Sequence, residues 1–247
     1  MLTFVLLKGW GFQAEVMAPL HKALLQHFPT AHYCIPTTYC SFIHDDDNLR
    51  SWRSMWLPDH PQQKICYMGW SLGGLVASRL AALPDAQPAA LFTLGTNQRF
   101  VADEHWPHAM PQADFTGFLD AWQRRPQDTL RHFTRMATQG CANARALLRS
   151  ALTTLIDESL PLATGMKQLL WLAETDLTGY WIKKQYPMHH LYSSYDALVP
   201  SAAANALAQN GKMVQIINEA GHLFPVTHAQ AVADYIATVL HHGGFDD

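Results

Sequence analysis

One stretch of this chain constrains its fold more than any other. Lys64-Ile65-Cys66-Tyr67-Met68 reads as a buried strand and runs directly into Gly69-Trp70-Ser71-Leu72-Gly73-Gly74, after which Leu75-Val76-Ala77-Ser78 continues as a helix. A strand that becomes a helix within one G-x-S-x-G turn needs glycines two residues before and two after the serine, because side chains there would keep strand and helix apart. The turn lifts the serine hydroxyl clear of the sheet. It also leaves the first backbone N–H groups of the helix unpaired, facing any charge that develops beside the serine. A serine in a plain structural turn is the alternative, and its placement between an apolar strand and an amphipathic helix argues against it.

Further strand-like runs are Thr3–Leu7, His32–Ile35, Ala90–Leu94, His189–Ser193 and Val214–Ile217, beside Ile65–Met68. Helical patterns fill Ala14–Phe28, Leu72–Leu83, Ala202–Gln209 and Ala229–His241. This alternation predicts an α/β architecture, a mostly or wholly parallel sheet of about six strands with helices on both faces and His32–Ile35 at an edge. The alternation stops after Leu94, and 103–177 reads as mostly helical, with aromatic and arginine-rich faces. The expected organisation is a core formed by 1–102 and 178–247 and a helical lid at 103–177, set over the edge where open α/β sheets bind ligands. A helical layer with only a packing role is the simpler reading.

A serine hydroxyl needs a base, and the base needs an acid to orient it. Asp196 follows the strand His189–Ser193, and His222 follows Val214–Ile217, so both sit past strand ends in the order Ser, Asp, His. Ser71, Asp196 and His222 are therefore the candidate catalytic residues. His228 is the nearest rival base and lies at the start of the last helix. Glu219 is the rival acid, very close in sequence to His222. For the oxyanion, the candidate donors are the amides of Leu72 and of Trp10, in the loop Lys8-Gly9-Trp10-Gly11-Phe12 after the first strand.

Composition excludes other classes. The chain has 247 residues and a formal net charge of -3, so general nucleic-acid binding is not expected. Met1–Leu7 is apolar but lacks a basic start and a cleavage site, and it reads as a strand. No uninterrupted apolar run of about 18 residues predicts a membrane span. None of the four cysteines forms a C-x-x-C pair. Cys66 reads as core, and the absence of a secretion signal points to the cytoplasm. The fourteen histidines show no ligand spacing, so no metal and no cofactor is expected.

At the level of motifs, the chain resembles the pimeloyl-[acyl-carrier protein] methyl ester esterases of bacterial biotin synthesis, which have the α/β-hydrolase fold. The matching pieces are Gly9-Trp10-Gly11 with Ala14-Glu15-Val16, the block Gly69–Ser78, Glu104 with Trp106-Pro107, Thr175-Asp176-Leu177, and Asp196-Ala197-Leu198-Val199-Pro200. The resemblance implies a monomeric carboxylesterase that cleaves the methyl ester of a pimeloyl chain on acyl carrier protein, with no membrane and no nucleic acid involved. It also implies an apolar acyl channel, for which the candidates are Trp10, Trp70, Leu72, Phe115, Phe118, Phe133 and Leu198. The phenylalanines also suit plain lid core.

Basic lid residues would receive the acidic carrier, and the candidates are Arg124, Arg125, Arg131, Arg135, Arg145 and Arg149. A solvated helix face is their plainer reading. Asp128 and His132 stand where the family has arginine. Lys8 replaces the family's histidine before Gly-Trp-Gly, and Ile35–Ser41 replaces its glycine-rich loop. The chain begins at the strand before the oxyanion loop, so the two leading strands of the full fold are not expected. A general short-chain carboxylesterase, a serine acyltransferase and a non-enzymatic ligand receptor on the same fold stay open as alternatives.

Overall fold

A computed structural model describes residues 1–57, 63–182 and 186–245; parts of the expected core at 58–62, 183–185 and 246–247 lie outside the described residues. The short apolar runs at the centre of the chain's sheet bury both their faces, the pattern that parallel strands require, while the two edge runs at His32–Cys34 and Met213–Ile217 are partly exposed. The strands are β1 Leu2–Leu7, β2 His32–Cys34, β3 Lys64–Trp70, β4 Pro88–Leu94, β5 Met188–Ser193 and β6 Met213–Ile217. They form one sheet in the order β2-β1-β3-β4-β5-β6, and every neighbouring pair is parallel. The register sets Leu7 beside Gly69, Gly69 beside Thr93, and Leu94 beside Leu191. The strand ends therefore share one edge, and the loops that leave them gather there.

The core helices are α1 Ala18–His27, α2 Asp46–Ser54 and α3 Leu72–Ala81. Between β4 and β5 come α4 Gln112–Arg124, α5 Pro126–Thr138, α6 Ala144–Thr154, α7 Leu162–Glu174 and α8 Thr178–Ile182. The chain then adds α9 Ser201–Gln209, α10 Phe224–Thr227 and α11 Ala229–His242. Neighbours on a strand face opposite sides, and β5 shows what covers each face. His189 stacks on Phe92 and meets the Tyr235 hydroxyl of α11 at 2.9 Å. His190 packs against Trp181 of α8, whose indole donates to Ser78 of α3. Helices α3 and α8 thus lie on one face, and α11, packed on α1, on the other.

The predicted fold class holds, with local differences. The helix expected over Ala14–Phe28 is a 3-10 turn at Ala14–Met17 followed by α1. Pro19 sits in the first turn of α1, where a missing N–H is tolerated. Helix α2 is absent from the sequence pattern. It buries only Leu49 and Trp52, so its apolar signal is thin. Its start is nonetheless marked by Asp45, which accepts from the amides of Asp47 and Asn48.

His190 is fully buried. Its Nδ1 is 2.7 Å from the Thr93 hydroxyl and its Nε2 has no hydrogen-bond partner among the described residues. Burial, aided by Lys212 and His189, pushes its pKa from 6.5 down to about 3. Between those values the unfolded chain binds a proton that the folded chain refuses, so stability falls as pH drops from 6.5 toward 3. His190→Gln is expected to flatten that acid limb, by about 2–3 kcal/mol near pH 4. Urea midpoints measured across pH for both proteins check this.

Candidate active site

Ser71 occupies the single residue between β3 and α3, with φ 56 and ψ -119. A serine at positive φ is strained, by about 1–3 kcal/mol, and persists only where its surroundings enforce it. Here its amide donates to Leu94 O at 2.8 Å, and its carbonyl accepts from Gly74 N and from the Thr96 hydroxyl. Two glycines permit the turn by close approach. A Cβ on Gly69 would lie 2.1 Å from Gly73 O, and one on Gly73 would lie 2.2 Å from Leu7 O.

The loops after β5 and β6 bring Asp196 and His222 together. His222 Nδ1 is 2.7 Å from Asp196 Oδ2, and both side chains are fully buried. The second carboxylate oxygen accepts from the amides of Leu198 and Val199, each at 2.8 Å, which fixes the carboxylate plane. The Trp70 indole donates to His222 O at 2.9 Å, and Leu223 N donates to Ala137 O of α5. His222 Nε2 is buried with no hydrogen-bond partner among the described residues, an orphan of the kind that functional sites retain. His228 is turned away, with its Nδ1 2.9 Å from the Thr227 hydroxyl, and Glu219 is exposed.

Among the described residues, the amides of Trp10 and Leu72 donate to no backbone or side-chain acceptor. The Trp10 ring meets Phe118, Trp122 and Phe133 edge-on at 5.6, 4.9 and 5.0 Å, and its indole donates to Gly165 O of α7. The loop itself is tied to the segment after α6 by the Phe12–Ile156 bridge, Gln13 N to Leu155 O, and Asp157 N to Gly11 O.

Ser71 opens onto a cavity of about 50 Å³. Of the expected channel residues, Trp10, Phe115, Phe118, Phe133 and Leu198 line it. Trp70 and Leu72 do not, and the expectation for them is corrected. The elbow turns only the serine outward, and both flanking side chains point back into the core. Phe100, Met110, Met136, Leu169, Leu172 and Val199 also line the cavity and were not anticipated. A spacing of three on a helix face would have found several of them. Phe115 and Phe118, Phe133 and Met136, and Leu169 and Leu172 are such pairs on α4, α5 and α7. Among the described residues, none that lines the cavity carries a charge.

All six arginines of the helical segment are exposed. Arg131 pairs with Glu158 at 3.7 Å, and the other five make no ion pair among the described residues. No group of three or more His, Cys, Asp or Glu side chains gathers as metal ligands would, again among the described residues.

Residues 4–235 match the model of the alpha/beta hydrolase family. The pimeloyl-[acyl-carrier protein] methyl ester esterase of Xanthomonas campestris is 33% identical over 240 residues, covering 93% of this chain and 91% of that one. The chain belongs to both families. The biotin biosynthesis bifunctional protein BioHC of Cellvibrio japonicus is 30% identical over 95% of this chain, which spans only 47% of that longer protein. Among solved structures, a bromoperoxidase from Bacillus anthracis superposes with a TM-score of 0.77 over 97% of this chain and 91% of that one, at 15% identity, a likeness of fold alone. This alpha/beta hydrolase is accordingly a hydrolytic enzyme.

The glycine contacts give a stability test. Gly73→Ala is expected to destabilise by about 2–3 kcal/mol, because the new methyl can be relieved only by parting α3 from β1. Gly117→Ala, at an exposed site in α4 where a Cβ meets nothing within 4 Å, should instead stabilise by about 0.5–1 kcal/mol. Denaturant unfolding of both variants reads the difference.

Proposed function

We propose that this enzyme is a cytoplasmic, monomeric carboxylesterase that hydrolyses the methyl ester of a pimeloyl chain carried on acyl carrier protein, in biotin synthesis. The observation that carries the reading is the strained Ser71 at the cavity wall, together with a buried His222–Asp196 pair whose Nε2 is left without a partner. The names of the relatives supply the substrate. In the described residues no helix is long and apolar enough to cross a membrane.

In this mechanism the Ser71 hydroxyl gives its proton to His222 Nε2 as its oxygen attacks the ester carbonyl. Asp196 holds the imidazole by Nδ1 and stabilises its charged form. The amides of Trp10 and Leu72 receive the oxyanion. His222 then protonates the leaving methoxide, methanol departs, and water hydrolyses the acyl-enzyme with His222 again as base.

Helices α4–α7 act as the lid. The cavity that they roof beside Ser71 is apolar, which suits it to an acyl chain. The exposed arginines of α4–α6 supply a positive face for the acidic carrier. The same apolar lining also suits a second reading, a general esterase for short free esters. Comparable turnover of a pimeloyl-carrier methyl ester and a short free ester would select that reading.

Ser71→Ala and His222→Ala are each expected to lower kcat by about 10³-fold or more, with Ser71→Ala also losing its label from a fluorophosphonate probe. Wild type should restore growth to a biotin auxotroph lacking its esterase, and Ser71→Ala should not. Arg145→Glu combined with Arg149→Glu is expected to raise KM for the carrier-bound ester by about tenfold and to leave a short free ester unaffected. Steady-state kinetics on the two substrates checks this, and equal effects on both would count against carrier docking at α6.

A further inference from the structure

The loop from Lys8 to Phe12 holds the Trp10 amide, and its shape is set by two groups that take no part in the proposed chemical steps. Lys8 is only 7% exposed, and its Nζ donates to the carbonyl of Phe12, across the loop from its own root. The Lys8 carbonyl accepts the hydroxyl of Tyr39, which belongs to the loop after β2. That same carbonyl lies against the first turn of α3, 2.6 Å from where a Gly73 Cβ would stand. The root of the loop is thus packed on the element that carries Ser71.

Burying an ammonium is costly, and a methionine would fill similar space without that penalty. Among the described residues no carboxylate is hydrogen-bonded to Nζ; Asp157 and Glu15 act on it through space. Burial pushes the Lys8 pKa down while those two carboxylates pull it up. A buried amine whose hydrogen-bond partner is a backbone carbonyl fixes backbone geometry. It ties together the two ends of a short loop whose middle residue presents an unpaired amide.

We infer that Lys8 and Tyr39 are positioning residues for the oxyanion loop: the bond from Lys8 Nζ to the Phe12 carbonyl sets the span of the loop, the bond from the Tyr39 hydroxyl to the Lys8 carbonyl anchors its root, and together they hold the Trp10 amide where the oxyanion forms. This deepens the proposed mechanism and rests on the role given there to the Trp10 amide. Neither side chain lines the cavity beside Ser71. Their contribution is to the transition state, so it appears in kcat and in the affinity for tetrahedral adducts, with little change in KM.

The test uses the full chain with Tyr39→Phe, Lys8→Met and the double variant. Turnover of a short p-nitrophenyl ester is measured per fluorophosphonate-titrated site, alongside inhibition by an alkylboronic acid and thermal midpoints. Each single substitution is expected to lower kcat by about tenfold, with KM held within about twofold and boronate affinity weakened by the same factor as kcat. Because both groups act on one loop, the double variant should lose well short of the hundredfold product of two independent effects, about thirtyfold at most.

A Tyr39→Phe protein with kcat within twofold of wild type overturns the inference, and so does a loss confined to KM or a fully multiplicative double variant. If Lys8→Met does not fold, Tyr39→Phe decides alone. Ser71→Ala separates the two levels. Wild-type turnover in Ser71→Ala would remove the mechanism itself, whereas an inactive Ser71→Ala beside unaffected brace variants would remove only the brace.

Discussion

The first turn of α3 lies directly on the backbone of β1 and β3, and the rest of the site is measured from that contact. Parallel pairing sets Leu7 beside Gly69, and the helix that leaves β3 must return across both strands at once. With no side chain at Gly69 or Gly73, the turn takes a single residue, and that residue accepts a positive φ. The strain is local, and the bonds that hold it come from the end of β4 and from Thr96. The loops after β1, β5 and β6 gather along the same edge. Had α3 begun even one residue later, the serine would have lost its fixed relation to those loops.

Much of this was legible in the sequence because parallel strands must be apolar on both faces, which makes them short, continuous and easy to bound. The six strands fall within one or two residues of their expected limits. What escaped was structure with little burial. Helix α2 is polar apart from Leu49 and Trp52, and only the cap at Asp45 announced it. Ser71, Asp196 and His222 were nominated because each comes just after a strand, and strand ends are where the sequence pattern is least ambiguous. The cavity wall was harder. Trp70 and Leu72 are adjacent to the serine in sequence, but adjacency says nothing of direction at a sharp turn. Met136, Leu169 and Leu172 lie far along the chain, and only helical spacing linked them to the site.

The inserted helices are not an independent layer. Trp10 belongs to the core by sequence, yet its ring is packed by α4 and α5 and its indole is bonded to α7. Aromatic pairs of this kind contribute about 0.5–1.5 kcal/mol each beyond their buried area. The bridge between Phe12 and Ile156 adds a backbone link from the same loop to the segment after α6. Any movement of these helices away from the core must therefore disturb contacts of Trp10, which lines the cavity beside Ser71.

The uncharged lining of the cavity bears on product release. Ester hydrolysis converts a neutral group into a carboxylate, and on the proposed reaction only His222 and the two oxyanion amides meet the new anion, amid phenylalanine, methionine and leucine side chains with no charged residue among the described lining. The wall that welcomes the substrate is a poor host for the product. On the proposed reaction, the enzyme empties itself: the free acid is driven toward water as it forms, and a chain already hydrolysed has little tendency to return. The same discrimination that selects the ester thus limits product inhibition.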